Sequence, residues 1–285
     1  MKLSRFSLIV LLFFSISLLM TNCAGLLFDT SSFDVLETNH FTFFYKSGSI
    51  VEKDLSSIVK YSELAVKWYF TYTNVSVTVK PDIYLFDEGT GGEYNRVAGL
   101  LDDSVLDSNS TKGVITYYYK EYDYIQASVT ILHETIHVIQ DYILELNSIG
   151  IAEGYTSYLA LKYYFYILGN TYSDESIFNL LCSYITDDLE KYGEYPSQIF
   201  TMTLLEFNGV TISENGIERN PKKRYEISES FIVYLTMKYD ISYVNNWLKQ
   251  TDTTNFKTRF KEEFDIDFDV EEKNWYEKVR ESYEN

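Results

Sequence analysis

A chain of 285 residues, 46% of them hydrophobic, carries enough apolar material to bury a core, which excludes extensive disorder and leaves one large domain or two packed subdomains as the expectation. The formal charge of −18 becomes −20 once Lys2 and Arg5 leave with the leader argued below (22 Lys and Arg against 42 Asp and Glu), which argues against nucleic acid or anionic lipid held through a charge patch. Two cysteines, Cys23 and Cys182, are too few for a disulfide scaffold.

Lys2 and Arg5 give the chain a positive start, and FSLIVLLFFSISLLM, from Phe6 to Met20, is an unbroken apolar stretch. It is shorter than the roughly 20 residues that cross a bilayer as a helix, so it reads as a signal peptide over residues 1–22, with the cut near Cys23, and not as a permanent anchor. The run Leu19, Met20, Thr21, Asn22, Cys23 resembles a bacterial lipoprotein signal, in its relaxed version, since Asn22 and Met20 stand where small residues and Leu are usual. The resemblance implies that Cys23 is lipidated and becomes the first mature residue, attaching the chain to a membrane of the cell envelope, outside the cytoplasm. An ordinary secretory signal with an incidental cysteine is the alternative.

Residues 23–38 mix small, polar and a few apolar types without periodicity and read as a tether, with the folded body over 39–285. FTFFYK is strand-like, SSIVKYSELAVKWYF places apolar residues at helical spacing, and SVTVKPDIYLF is strand material interrupted by Pro81. DEGTGGEYNRVAGLLDDSVLDSNSTKG clusters Gly, Asp, Ser and Asn as a long loop does, and GVITYYYK is again β-branched and aromatic. Residues 39–124 therefore predict a small mixed sheet with a helix on it.

Beyond Tyr124 the pattern turns helical: IQASVTILHETIHVIQDYILEL, the turn NSIG, IAEGYTSYLALKYYFYIL, then SDESIFNLLCSYITDDLEKY, YEISESFIVYLTMKY, VNNWLKQ and VEEKNWYEKVRESY. The expected fold class is α+β, with a β-rich subdomain (39–124) preceding a helical one (125–285). The 27 tyrosines are read as packing and surface residues, and Cys182, in FNLLCSYI, as a buried small hydrophobe and not a nucleophile.

In ILHETIHVIQ, His133 and His137 are four residues apart, so on a helix their imidazoles leave one face a turn apart and can bind one metal ion. Glu134 is rotated away from that direction yet close enough to take a proton from water held at the metal. Zinc is the expected ion, a single one, because three protein ligands of the imidazole and carboxylate type leave a fourth position for water. A surface helix with two incidental histidines is the bland alternative, but with three His in the chain a chance match of this pattern is well under ~1%. The uncharged flanks Val129–Leu132 and Val138–Ile139 suit a helix buried beneath a cleft.

The third ligand is expected to be Glu153 in GIAEGYTSYLA, because the short NSIG turn can fold the next helix back onto the first. The alternative for Glu153 is a helix-start glutamate favoured by the dipole. His40, beside strand material, reads as structural.

HETIH followed at a short distance by AEGYTSYLA resembles the gluzincins, zinc peptidases with two His and one Glu as ligands. The Glu-Gly-x-x-x-Tyr part is similar to the second-ligand helix of the aminopeptidase-N family and of the smaller peptidase-MA-like bacterial proteins. Fifteen residues separate His137 from Glu153, fewer than in the aminopeptidases, and no Gly-x-Met-Glu-Asn motif occurs, so the peptidase-MA-like group fits better. NHFTFFYK, YEISESFIVYL and FKEEFDIDFDVEEKNWYEKV resemble that group's opening strand and closing helices.

The resemblance implies a zincin-like domain and a zinc peptidase, an endopeptidase in the absence of the exopeptidase motif, acting on a peptide or protein substrate. Glu134 is then the catalytic base and His133, His137 and Glu153 are the ligands. Tyr225 is the first candidate for the donor that stabilises the transition-state oxyanion and Tyr155 the second. The strand just before the metal helix is expected to bind the substrate backbone along residues 113–119 through a free edge. The competing function is a catalytically idle zinc-containing lipoprotein that binds a peptide or surface partner; the intact Glu134 argues against it, because binding zinc does not need a base.

Overall fold

The computed structural model describes residues 32–75, 80–88, 98–100, 113–140, 149–192, 200, 222–252 and 254–284. The leader, Cys23, the first part of the tether, most of the long loop and the NSIG turn up to Ser148 lie outside the described residues. What is described is a small mixed sheet in the N-terminal part followed by a mostly helical C-terminal half.

The strands are β1 (Asp34–Glu37), β2 (Thr42–Tyr45), β3 (Asp82–Asp87), β4 (Ala98–Leu100) and β5 (Val114–Tyr119), in the order β1-β2-β3-β5-β4. β2, β3 and β5 run parallel and are flanked by antiparallel β1 and β4. In α1 (Ile50–Thr73) the buried positions Val51, Leu55, Ile58, Ser62, Ala65, Val66 and Tyr69 recur every three to four residues, so one stripe faces inward. The Asp87 carboxylate, at the end of β3, accepts the N–H groups of Ile50 and Val51 at 3.0 Å each, satisfying donors that the helix itself cannot. α1 ends at Asn74, whose φ of 54° is left-handed.

Alternate side chains of the sheet, Phe43, Ile83, Leu85, Ile115, Tyr117 and Tyr119, form one core with Val51, Leu55, Ile58 and Val66 of α1 and with Ala127 and Ile131 of α2 (Tyr124–Ile139). Each Val, Leu, Ile or Phe among them contributes about 1.5–3 kcal/mol when fully buried. The opposite face carries Phe44, Tyr84, Phe86 and Val114 with Phe33. One compact unit holds the sheet, α1 to Phe70 and α2 to Val138, and the other holds Thr71–Val75 and the chain from Ile139 onward.

In that second unit the helices are α3 (Ile149–Ile167), α4 (Asp174–Tyr192), α5 (Lys222–Lys238), α6 (Ile241–Leu248), α7 (Phe256–Phe264) and α8 (Phe268–Glu284). α5 is buried on all sides from Tyr225 to Leu235 and packs on α3 and α4. An aromatic core gathers Phe231, Trp247, Phe256, Phe260, Phe268 and Trp275. Among the described residues no helix is long and apolar enough to cross a membrane.

Several expectations change. β1 lies inside the stretch read as tether, which therefore ends before Asp34; its four residues are all exposed, so no apolar alternation marks it. The long loop contains β4, which has only three residues. α7 begins ahead of the run FKEEF that resembles a closing helix, because FKTRFKEEF is mostly charged and signals burial only through Phe256, Phe260 and Phe264. β5 has no free edge over its middle: Ile115, Thr116 and Tyr117 pair with β4 on one side and with β3 on the other. Their backbone groups are already in the ladder, so substrate binding along 113–119 is withdrawn.

Candidate metal centre

α2 holds its functional side chains on a mostly apolar helix whose flanks to the motif carry no charge. Ala127, Val129, Ile131, Leu132, Ile136, Val138 and Ile139 are buried, and the buried hydroxyls of Ser128, Thr130 and Thr135 donate to the carbonyls of Ile125, Gln126 and Ile131. Those bonds keep polar groups inside without unmet hydrogen-bonding needs. Gly113, just ahead of β5, lies against Val138: a Cβ there would come within 2.3 Å of Val138 Cγ2. The missing side chain lets the strand approach the helix one residue past His137.

His133 and His137 present their Nε2 atoms 3.2 Å apart, with rings at 77° and centroids 4.8 Å apart. Metal–nitrogen bonds of about 2.0–2.1 Å at a tetrahedral centre place two nitrogens about 3.3 Å apart, so this pair fits a shared ion. His133 is half-buried while Glu134 and His137 are buried. Glu134 is the one carboxylate in α2.

His133, His137 and Glu153 can together hold a metal ion: one ligand atom of each lies within 4.8 Å of the others. Two imidazoles and a carboxylate are nitrogen and oxygen donors of the kind that bind divalent metal ions.

Glu153 sits in the second turn of α3, where the backbone is held from two sides. Towards α5, Gly150 accepts a hydrogen bond at its carbonyl from the Ser228 hydroxyl, and Gly154 has no room for a side chain: a Cβ would lie 2.4 Å from Ser228 Oγ and 2.5 Å from the Ser228 carbonyl carbon. The glycine of AEGYTSYLA is there because two helix backbones touch. On another side, Gln140, directly after α2, is buried and donates from Nε2 to the Ala152 carbonyl at 3.2 Å. The Thr156 hydroxyl donates its single proton to the same Ala152 carbonyl at 2.8 Å and lies 3.3 Å from Gln140 Oε1. The sequence reading passed over Gln140; the available signal was a neutral amide closing the run HVIQ before the first charge, Asp141.

The other candidates fall outside the ligand group. Tyr155 donates its only O–H to Asn245 Oδ1 at 2.6 Å, and Asn245 Nδ2 in turn holds the Thr73 carbonyl, so that hydroxyl is committed to packing α3 on α6. Tyr225 is buried in the first turn of α5. His40 is structural, with Nδ1 2.7 Å from Glu63 Oε2, its backbone N–H on Oε1 at 3.0 Å and its ring edge-on to Phe70. Cys182 is buried, and burial pushes its thiol up to about 12, which makes it a poor nucleophile. No family model, no curated protein and no solved structure matches the chain.

Proposed function

We propose that this chain is a zinc-dependent peptidase of the gluzincin type, similar to the peptidase-MA-like proteins, cleaving within a peptide or protein chain and tethered to a membrane outside the cytoplasm by lipid on Cys23. The observation that carries the proposal is the convergence of His133, His137 and Glu153 with Glu134 beside them on α2. Two neutral imidazoles and one carboxylate would hold the ion. When bound, such an ion supplies Lewis acidity, lowering the pKa of water in its open position towards ~7 and polarising the scissile carbonyl.

The rest of the chemistry belongs to the side chains. Glu134 accepts the proton of the attacking water on its carboxylate and passes it to the leaving amine. It stands on the largely buried helix that also carries both histidines. Tyr225 is proposed to donate its O–H to the oxyanion that forms as water adds.

The test uses protein from Cys23 onward, its zinc content, and cleavage of a random peptide library by wild type, Glu134→Gln and Tyr225→Phe. Wild type is expected to hold one zinc and cleave peptides, and Glu134→Gln to keep the zinc and lose cleavage. Metal-free wild type, or equal cleavage by wild type and Glu134→Gln, defeats the reading. A loss of turnover below about tenfold in Tyr225→Phe removes Tyr225 from its role.

A further inference from the structure

Three polar groups meet at one buried point on α3. The carbonyl of Ala152 accepts from Gln140 Nε2 at 3.2 Å and from Thr156 Oγ1 at 2.8 Å, and the same Thr156 hydroxyl lies 3.3 Å from Gln140 Oε1. Gln140 and Thr156 are almost wholly enclosed, at 1% and 0% exposure. The peptide unit at which they converge is the one that leads directly into Glu153, and Gln140 stands three residues past His137.

We infer that Gln140 is a positioning residue for the third metal ligand. It joins the end of α2 to the turn of α3 that carries Glu153, through a carboxamide that donates to the Ala152 carbonyl and sets its oxygen 3.3 Å from the Thr156 hydroxyl. A carboxylate of the same size has no donor for the Ala152 carbonyl, and an aliphatic side chain has neither function. An amide supplies that donor without bringing charge into a buried place. Ligands of a metal ion are ordinarily oriented by such outer contacts, whose loss lowers metal affinity by 10–100-fold. The inference rests on the metal reading above and adds to it a residue that touches no ligand atom.

The experiment measures Zn2+ affinity by competition with a chromogenic chelator, the visible spectrum of the Co2+-substituted protein, and the melting temperature of the metal-free protein. The variants are Gln140→Met, Thr156→Val and Thr156→Ser, with Glu153→Ala as the reference background. Gln140→Met is expected to weaken Zn2+ binding by about 10–100-fold and to alter the Co2+ spectrum. Thr156→Val shows a smaller loss in the same direction, and Thr156→Ser, which keeps the hydroxyl, matches wild type. On the Glu153→Ala background Gln140→Met changes Zn2+ affinity less than twofold, because the residue acts through Glu153.

Metal affinity unchanged in Gln140→Met and Thr156→Val, with only the melting temperature lowered, overturns the inference and leaves the metal site standing. An equal loss with and without Glu153 also overturns it. If Gln140→Met does not fold, the Thr156→Val and Thr156→Ser pair decides by the same criterion. Wild type that takes up no Zn2+ overturns the metal reading itself, and the inference with it.

Discussion

Gly154 and Ser228 meet backbone to backbone: a Cβ on residue 154 would lie 2.4 Å from Ser228 Oγ, 2.5 Å from its carbonyl carbon and 2.7 Å from its carbonyl oxygen. Two of those three atoms are main chain and cannot swing aside. Gly154→Ala must therefore push α3 and α5 apart, at a cost of about 1–3 kcal/mol from overpacking. Ser228→Ala removes only the hydroxyl, so Gly154→Ala with Ser228→Ala should stay destabilised. Urea denaturation of the four proteins checks this; full recovery in the double variant would falsify the backbone contact.

Gly113 presents the opposite case. Its nearest neighbours are side-chain atoms of Val138, with Cγ2 at 2.3 Å, Cγ1 at 2.8 Å and Cβ at 3.2 Å from the position a Cβ would take. Gly113→Ala alone should destabilise by about 1–3 kcal/mol. Val138→Ala deletes the two close methyls and leaves a tight contact that a few tenths of an ångström relieve, so Gly113→Ala with Val138→Ala should be more stable than the two single losses predict. Strictly additive losses in denaturant would show that the two residues do not touch.

These contacts mark how far the residues alone carry the reading. The pair His133 and His137 is legible because both lie on one helix, where spacing alone sets direction. Glu153 is suggested only by its short distance along the chain from His137 and not by spacing on one helix. β4 is not, because Ala98, Gly99 and Leu100 become a strand only by pairing with Tyr117, Thr116 and Ile115, and no local pattern encodes that partner. The role of Tyr155 is hidden for the same reason, since Asn245 lies 90 residues further along the chain. The start of α7 is not legible because three phenylalanines among charged residues mark too narrow an apolar stripe.

Glu229 gives a prediction about pH. It and Glu226 lie three residues apart on α5 and are both buried. Burial first, and the neighbouring Glu226 carboxylate second, push the Glu229 carboxyl well above the usual range, so the folded protein keeps the proton. In the unfolded chain the same group ionises in the ordinary carboxylate range. At low pH both states hold the proton and no penalty arises. As pH rises through the unfolded value, the unfolded chain releases its proton while the folded protein retains it, and stability falls until the folded group also ionises. Glu229→Gln is neutral at every pH and of the same size, so it should erase this slope. The variant should be more stable than wild type by on the order of 1 kcal/mol at neutral pH and indistinguishable near pH ~4. Urea denaturation of both proteins across that range, with a chelator present to keep metal binding out of the comparison, measures the difference. If the two stability curves run parallel, Glu229 is already ionised in the folded protein and its carboxylate has found a compensating positive charge.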